Sequence, residues 1–240
     1  MLNLFDWRLI FTNIPKLLEY LPTTLEVAFV AYFFSIVIGL LVAVVRSRKP
    51  RILYPIVSFY VSLTRGTPVL VQLYATYFGI PMILSVINYK FGTSFSINFI
   101  PNVVFALVAL SLNDAAYSSE YLRAALESVD KGQREAAHSI GMNSWQTLTR
   151  IILPEALVVA IPSLGNSLIT LIKSTSLVFT CAVMDITAGG RLIAGRNYRY
   201  LEMYISLAIV YWVITFVFSK VFKFFEKKLK CNEQEVIIRD

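Results

Sequence analysis

Charge is scarce in this sequence. Aspartate, glutamate, lysine and arginine make up 15% of the 240 residues, against roughly 25% in ordinary soluble domains, which excludes a conventional water-facing surface. Cysteine is nearly absent. Cys181 stands in an apolar run and Cys231 in the polar tail, giving neither a disulfide framework nor a metal-ligand spacing. With a single histidine, His138, and no Gly-x-Ser-x-Gly turn, an intramembrane hydrolase lacks a nucleophile and base that meet. No Gly-x-x-x-x-Gly-Lys-Ser/Thr phosphate loop is present, so the chain carries no nucleotide site of that kind. There is no repeat of fixed period and no low-complexity tract.

What is present is apolar, at 57% of residues. A bilayer core about 30 Å thick is crossed by about 20 such residues in a helix, and several stretches qualify. The expected fold is an all-α polytopic membrane protein of one domain, residues 1–240, with five spans at about 24–45, 68–87, 100–122, 157–183 and 203–225. A further helix over 52–64 is expected along or partly within the membrane. Residues 88–98 are expected to form an outside loop, and 185–202 another that includes a short helix. Pro162, Gly165 and Lys173 are expected to interrupt the fourth span.

The net charge of +7 sits in the gaps between apolar runs, so it is read as a topology signal at lipid headgroups and not as a nucleic-acid surface. Arg46, Arg48, Lys49 and Arg51 put four cations within six residues, a cytoplasmic marker. The basic run Glu226-Lys227-Lys228-Leu229-Lys230 marks the same side. The amino terminus is then outside and the carboxyl terminus cytoplasmic. Residues 1–22 read as an amphipathic entry segment with Trp7 at the interface and with Pro15 and Pro22 interrupting any long helix. No small-residue cleavage site follows it, so the first span is expected to be retained.

Between the third and fourth spans, residues 128–154 carry the sequence's most polar helical pattern. Asp130 with Gln133, and Asn143 with Gln146, are spaced as helix-capping pairs, and Gly141 suits a left-handed stop. Pro154 is expected to bound the second short helix. Ala136 and Ala137 would present small side chains to an approaching backbone, and Glu135 would cap or pair at the joint. These are the properties of a docking knob.

The fixed positions Glu135, Ala136, Ala137, Gly141, Ile151, Leu153 and Pro154 match the Glu-Ala-Ala signature loop of ABC importer permeases. The chain resembles that family over nearly its whole length, and the polar amino-acid branch in particular. Arg65-Gly66-Thr67-Pro68 with Gln72, Ala116-Tyr117 with Glu120 and Arg123, Gly132-Gln133, Gly165-Asn166 and Lys173-Ser174-Thr175-Ser176-Leu177 carry that narrower likeness. The resemblance implies a type I ABC importer permease fold, a bacterial cytoplasmic-membrane location and a non-enzymatic subunit. It also implies a second permease subunit, identical or closely related, two ATPase subunits that hold the ATP and Mg, and an extracellular binding protein. Glu135, Ala136, Ala137 and Gly141 become the coupling residues, and this chain itself is expected to bind no cofactor.

Ionisable groups inside spans are costly and are functional candidates by default. Asn113, Asp114, Glu120, Asn166, Ser167 and Lys173 are the substrate-pathway candidates. For Lys173, snorkelling or pairing with Asp114 or Glu120 stands beside ligand or gate contact. For Asn113, Asp114 and Glu120, polar glue between helices is the other reading. Relatives resembling cationic amino-acid transporters carry carboxylates where this sequence has Ser167 and Ser174, so a zwitterionic ligand such as cystine, or a glutamine-like one, is favoured over arginine or lysine. Arg191, Arg196 and Arg199 face either an acidic binding protein or solvent and headgroups, and His138 is read as a surface residue. An ion-coupled carrier using Asp114, Glu120 and Lys173 as a relay is the alternative, although it lacks the paired repeats common in such carriers.

Overall fold

The protein is described by a computed structural model covering residues 5–96 and 99–239, with side chains through residue 227 except Phe225. Leader residues 1–4, the loop end at Asn98, and the side chains of Lys228, Leu229, Lys230 and Cys231 lie outside the described residues. Every regular element described is helical.

Helix α1 (Trp7–Leu18) starts where the Asp6 side chain accepts a hydrogen bond from the Arg8 N–H. Pro15 lies inside this helix and does not interrupt it. Its ring occupies the exposed face, where the missing N–H disturbs no packing. The break comes at Glu19–Tyr20, and Pro22 sits in the first turn of α2 (Leu21–Arg48), where an absent N–H costs least. Lys49, in the left-handed region at φ 51°, closes α2 by donating its N–H to the Val45 carbonyl.

Helices α3 (Leu53–Gly66) and α4 (Val69–Phe91) are separated by two extended residues, Thr67 and Pro68. Residues 88–91, expected in a loop, belong to α4, which ends at Gly92. Helix α5 (Asn102–Ser128) runs through the middle of the bundle and packs on α2, α3, α4 and α8. The buried stripe Ala28, Ala31, Ser35, Gly39 and Ala43 on α2 lets the two backbones close together, as small residues do between membrane helices. A methyl group added at Gly39 would lie 3.2 Å from both the Ala115 carbonyl oxygen and the Ser118 Cβ.

The knob follows as α6 (Lys131–Ser139) and α7 (Ser144–Thr147). Pro154 does not end the helix begun at Ser144. A π turn over Leu148–Ile152 leads into α8 (Leu153–Ser174), and a tighter 3-10 segment, Thr175–Cys181, completes the run. Proline explains the widened turn: it has no N–H to offer the Arg150 carbonyl and its ring crowds that group. The Leu153 N–H instead donates to the Leu148 carbonyl. Pro162 and Gly165 also remain inside α8. The outer segment contains the expected short helix, α9 (Ile186–Asn197), and α10 (Tyr200–Arg239) finishes the chain.

Among the described residues, four helices have the length and apolarity to cross a membrane: Leu21–Arg48, Val69–Phe91, Ser144–Cys181 and Tyr200–Phe224. The remaining expected span corresponds to α5, which is 27 residues long but carries Asn113, Asp114, Glu120, Arg123 and Glu127. Its polarity is largely internal, because Ser111, Asp114, Ser118 and Ser119 are all buried. Hydropathy therefore underrates the helix around which the others pack.

Candidate functional site

Asp114, 5% exposed, is the polar centre of α5. Its Oδ2 accepts hydrogen bonds from the hydroxyls of Ser35 on α2 at 2.6 Å and Ser118 at 3.2 Å, and its Oδ1 accepts one from Ser167 on α8. No basic side chain lies within ion-pair distance of it among the described residues. Three hydrogen bonds to a charged acceptor, at about 1.5–3 kcal/mol each, are of the size needed to offset the several kcal/mol of removing a carboxylate from water. The cluster ties three helices together and leaves the negative charge without a counter-ion.

That charge borders a cleft of about 410 Å³ between the start of α4, the middle of α5 and α8, lined by Thr67, Asn113, Asp114, Tyr117, Asn166 and Ser167 among others. Asn113 donates to the Gln72 Oε1 at 3.0 Å, while the Gln72 amide nitrogen donates to the Thr64 and Thr67 carbonyls and to the Thr67 hydroxyl. Gln72 thus pins the α3–α4 turn to the wall of the cleft. Thr170 and Ser174 continue the α8 lining one and two turns beyond Asn166.

Glu120 and Lys173 are not among the residues lining this cleft. Glu120 is held by Arg46 at 2.5 Å, Arg65 at 3.0 Å and Arg123 at 3.1 Å, and Arg65 also stacks on Tyr117. Glu120 is therefore a junction of α2, α3 and α5. Lys173 is exposed on α8 and forms no ion pair with Asp114 or Glu120. Of the readings open for Lys173, pairing with these carboxylates does not occur among the described residues, and both carboxylates are engaged elsewhere. No ion pair links the three members of the alternative ion relay among the described residues.

At the other end of the same helical run, the knob closes as expected at Gly141, with φ +83°. The Met142 N–H donates to the Ala137 carbonyl and the Gly141 N–H to that of His138, the paired pattern of a left-handed helix stop. Asn143 and Gln146 form the full reciprocal cap. At α6, the Asp130 side chain accepts instead from the Gly132 N–H. Ala136 is exposed but Ala137 is buried, so only one of the two small side chains is presented. Ala137 faces inward because α6 needs an apolar contact on the bundle. Glu135 is exposed, and the residues that project most are Ile140, 78% exposed, and Trp145, 67% exposed.

On the far side, Asp185 is fully buried. It caps α9 by accepting from the Thr187 and Ala188 N–H groups and receives the Tyr211 hydroxyl at 3.2 Å. Burial pushes its carboxyl above the usual carboxylate range, against the opposing effect of these hydrogen bonds. The arginines nearby have partners within the chain: Arg191 lies over the Phe179 ring and Arg199 bonds Glu202. Ser35, Gln72, Thr170, Ile140, Trp145 and Asp185 were not singled out as site residues by sequence pattern. The helical spacing from Asn166 reaches Thr170 and Ser174, and the Thr-Pro motif contains Gln72, but the roles of Ser35 and Asp185 depend on packing.

Residues 35–230, which include the knob, the cleft and the Glu120 junction, match the family model described as binding-protein-dependent transport system inner membrane component. The chain belongs to that family. This permease is 38% identical over 233 residues to the L-cystine transport system permease protein TcyL of Bacillus subtilis (strain 168), covering 97% of this chain and 95% of that one. It is 34% identical over 226 residues to the glutamine transport system permease protein GlnP of Escherichia coli (strain K12), covering 94% and 98% respectively. A crystal structure of an amino acid ABC transporter with histidines superposes with a TM-score of 0.76 at 32% identity, over 93% of this permease and 99% of that chain. The all-helical ABC importer permease fold is thereby shared.

Proposed function

We propose that this chain is the membrane-spanning subunit of an ATP-driven importer that moves a polar amino acid, with a zwitterion such as cystine favoured. The observation that carries this reading is one continuous helical run, Ser144–Cys181, which holds the second short helix of the knob at one end and the cleft residues Asn166 and Ser167 further along. Two ATPase subunits, with their ATP and Mg, dock on the knob through Glu135, Ala136, Gly141, Ile140 and Trp145, with Ala137 anchoring α6 from behind. A second permease subunit and an extracellular binding protein complete the assembly. Five crossings, by α2, α4, α5, α8 and α10, would leave the termini on opposite sides, and the cations Arg46, Arg48, Lys49 and Arg51 support a cytoplasmic carboxyl terminus and an outside amino terminus.

In the cleft, Asp114 attracts the ammonium group of the ligand, while Asn113 and Asn166 offer amides to its polar atoms. Glu120 leaves the pathway set for a structural role. Lys173, exposed on the isolated chain, serves the carboxylate of the ligand or the boundary with the second subunit. The cargo is the finer question, because the TcyL and GlnP relatives are named for different amino acids.

The test is uptake of radiolabelled cystine into proteoliposomes containing this chain, its ATPase and its binding protein. Uptake that requires both ATP and the binding protein, and is reduced by competing unlabelled cystine, is expected. Uptake driven by an ion gradient through the chain alone would replace this reading with a carrier.

A further inference from the structure

We propose that the knob is braced by a bound phosphate-type oxyanion in a pocket unrelated to the cargo cleft. A cavity of about 330 Å³ lies between the end of α2, the end of α5 and the two short helices of the knob. Ser47, Arg48, Arg134, His138 and Ser144 line it together with apolar residues and Thr147, and none of its lining residues is acidic. Neither arginine has a carboxylate within ion-pair distance among the described residues. The only side-chain hydrogen bond of Arg134 among them is to the Leu126 carbonyl.

A hydroxyl of the pocket lining is also left without a partner. The Ser47 Oγ is enclosed and has no hydrogen-bond partner among the described residues, an unfavourable state for a buried hydroxyl. His138 Nδ1 faces the Met142 carbonyl at 3.0 Å; a carbonyl only accepts, so Nδ1 donates, and Nε2 of the neutral ring is an acceptor that offers an anion no hydrogen. Two guanidinium groups with hydroxyls between them are the donor set that recognises phosphate oxygens in pairs. Arg46, by contrast, is already committed to Glu120, so the neighbouring cations of the same basic run are not equivalent.

The occupant is the phosphate of an anionic lipid headgroup or a free oxyanion, and it ties the knob to the ends of α2 and α5. The experiment uses the full chain in neutral detergent and records its thermal midpoint with dihexanoyl-phosphatidylglycerol, dihexanoyl-phosphatidylcholine and inorganic phosphate. A rise of about 3 °C or more with an anionic additive, little with phosphatidylcholine, and its loss in Arg48→Gln/Arg134→Gln but not in Arg8→Gln, is the expected result. A rise with phosphatidylglycerol alone assigns a lipid, and a rise with phosphate as well assigns a free oxyanion. Should the double variant fail to fold, Ser47→Leu, which fills the pocket and keeps every charge, supplies the comparison. No rise with either anion, an equal rise with phosphatidylcholine, or an undiminished rise in the folded pocket variant overturns the proposal.

Discussion

Gly141 adopts a φ of +83° with open space around the position a Cβ would take, so its constraint is backbone conformation and not crowding. A Gly141→Val change forces a β-branched residue into the left-handed region at about 1–2 kcal/mol, and the helix stop opens. The expected outcome is normal membrane insertion with loss of ATPase co-purification and of uptake; wild-type docking and transport in this variant would remove Gly141 from the coupling set. At Asp114, the isosteric Asp114→Asn keeps the shape of the cluster and removes the uncompensated charge. Uptake is expected to fall at least about tenfold, equivalent to about 1.4 kcal/mol, with the thermal midpoint changed far less than by Asp114→Ala, which strands the Ser35, Ser118 and Ser167 hydroxyls. Asp185 gives a pH prediction with a definite sign. Its carboxyl is held above its unfolded value, so the stabilisation it contributes is fully present below the unfolded value of about 3.9 and is lost as pH rises through the folded one. Thermal melts between pH 4 and pH 7 should therefore decline less in Asp185→Asn than in the wild type.

Among the elements, the contact of α2 with α5 is the one most exposed to a single substitution. Gly39→Val would push a branched side chain into the Ala115 carbonyl and the Ser118 side chain, and overpacking of this kind costs about 1–3 kcal/mol. The expected reading is a lowered thermal midpoint together with weaker uptake, since Ser35 and Asp114 separate with the helices; an unchanged melt would show that α2 tilts freely. Much of this layer was legible in the amino-acid order. Long apolar runs marked α2, α4, α8 and α10, and capping residues marked the knob, because these signals are local. Buried contacts were less legible. The partners Arg46 and Arg65 lie 74 and 55 residues from Glu120, so a carboxylate that looks like a pathway group in sequence becomes a junction in space. Ala137 turns inward for a similar reason: the pattern places it on α6, but only the bundle determines which face of α6 is covered. Pro154 looked like a boundary because a proline removes one ordinary helical bond, and the π turn shows how the chain retains the helix by shifting one bond partner.

For the whole molecule, the second short helix of the knob and the α8 wall of the cleft belong to one continuous helical run rather than to two parts joined by a loop. At about 1.5 Å per residue, the 38 residues from Ser144 to Cys181 extend through roughly 55 Å, more than the thickness of the hydrocarbon core. The π turn adds a residue to one turn near the base, so the direction in which Trp145 points is offset from the face carrying Asn166 and Thr170. A sideways push on Trp145 is expected to reach the cleft partly as rotation of α8 about its own axis, so the segment is expected to act more as a crank than as a piston.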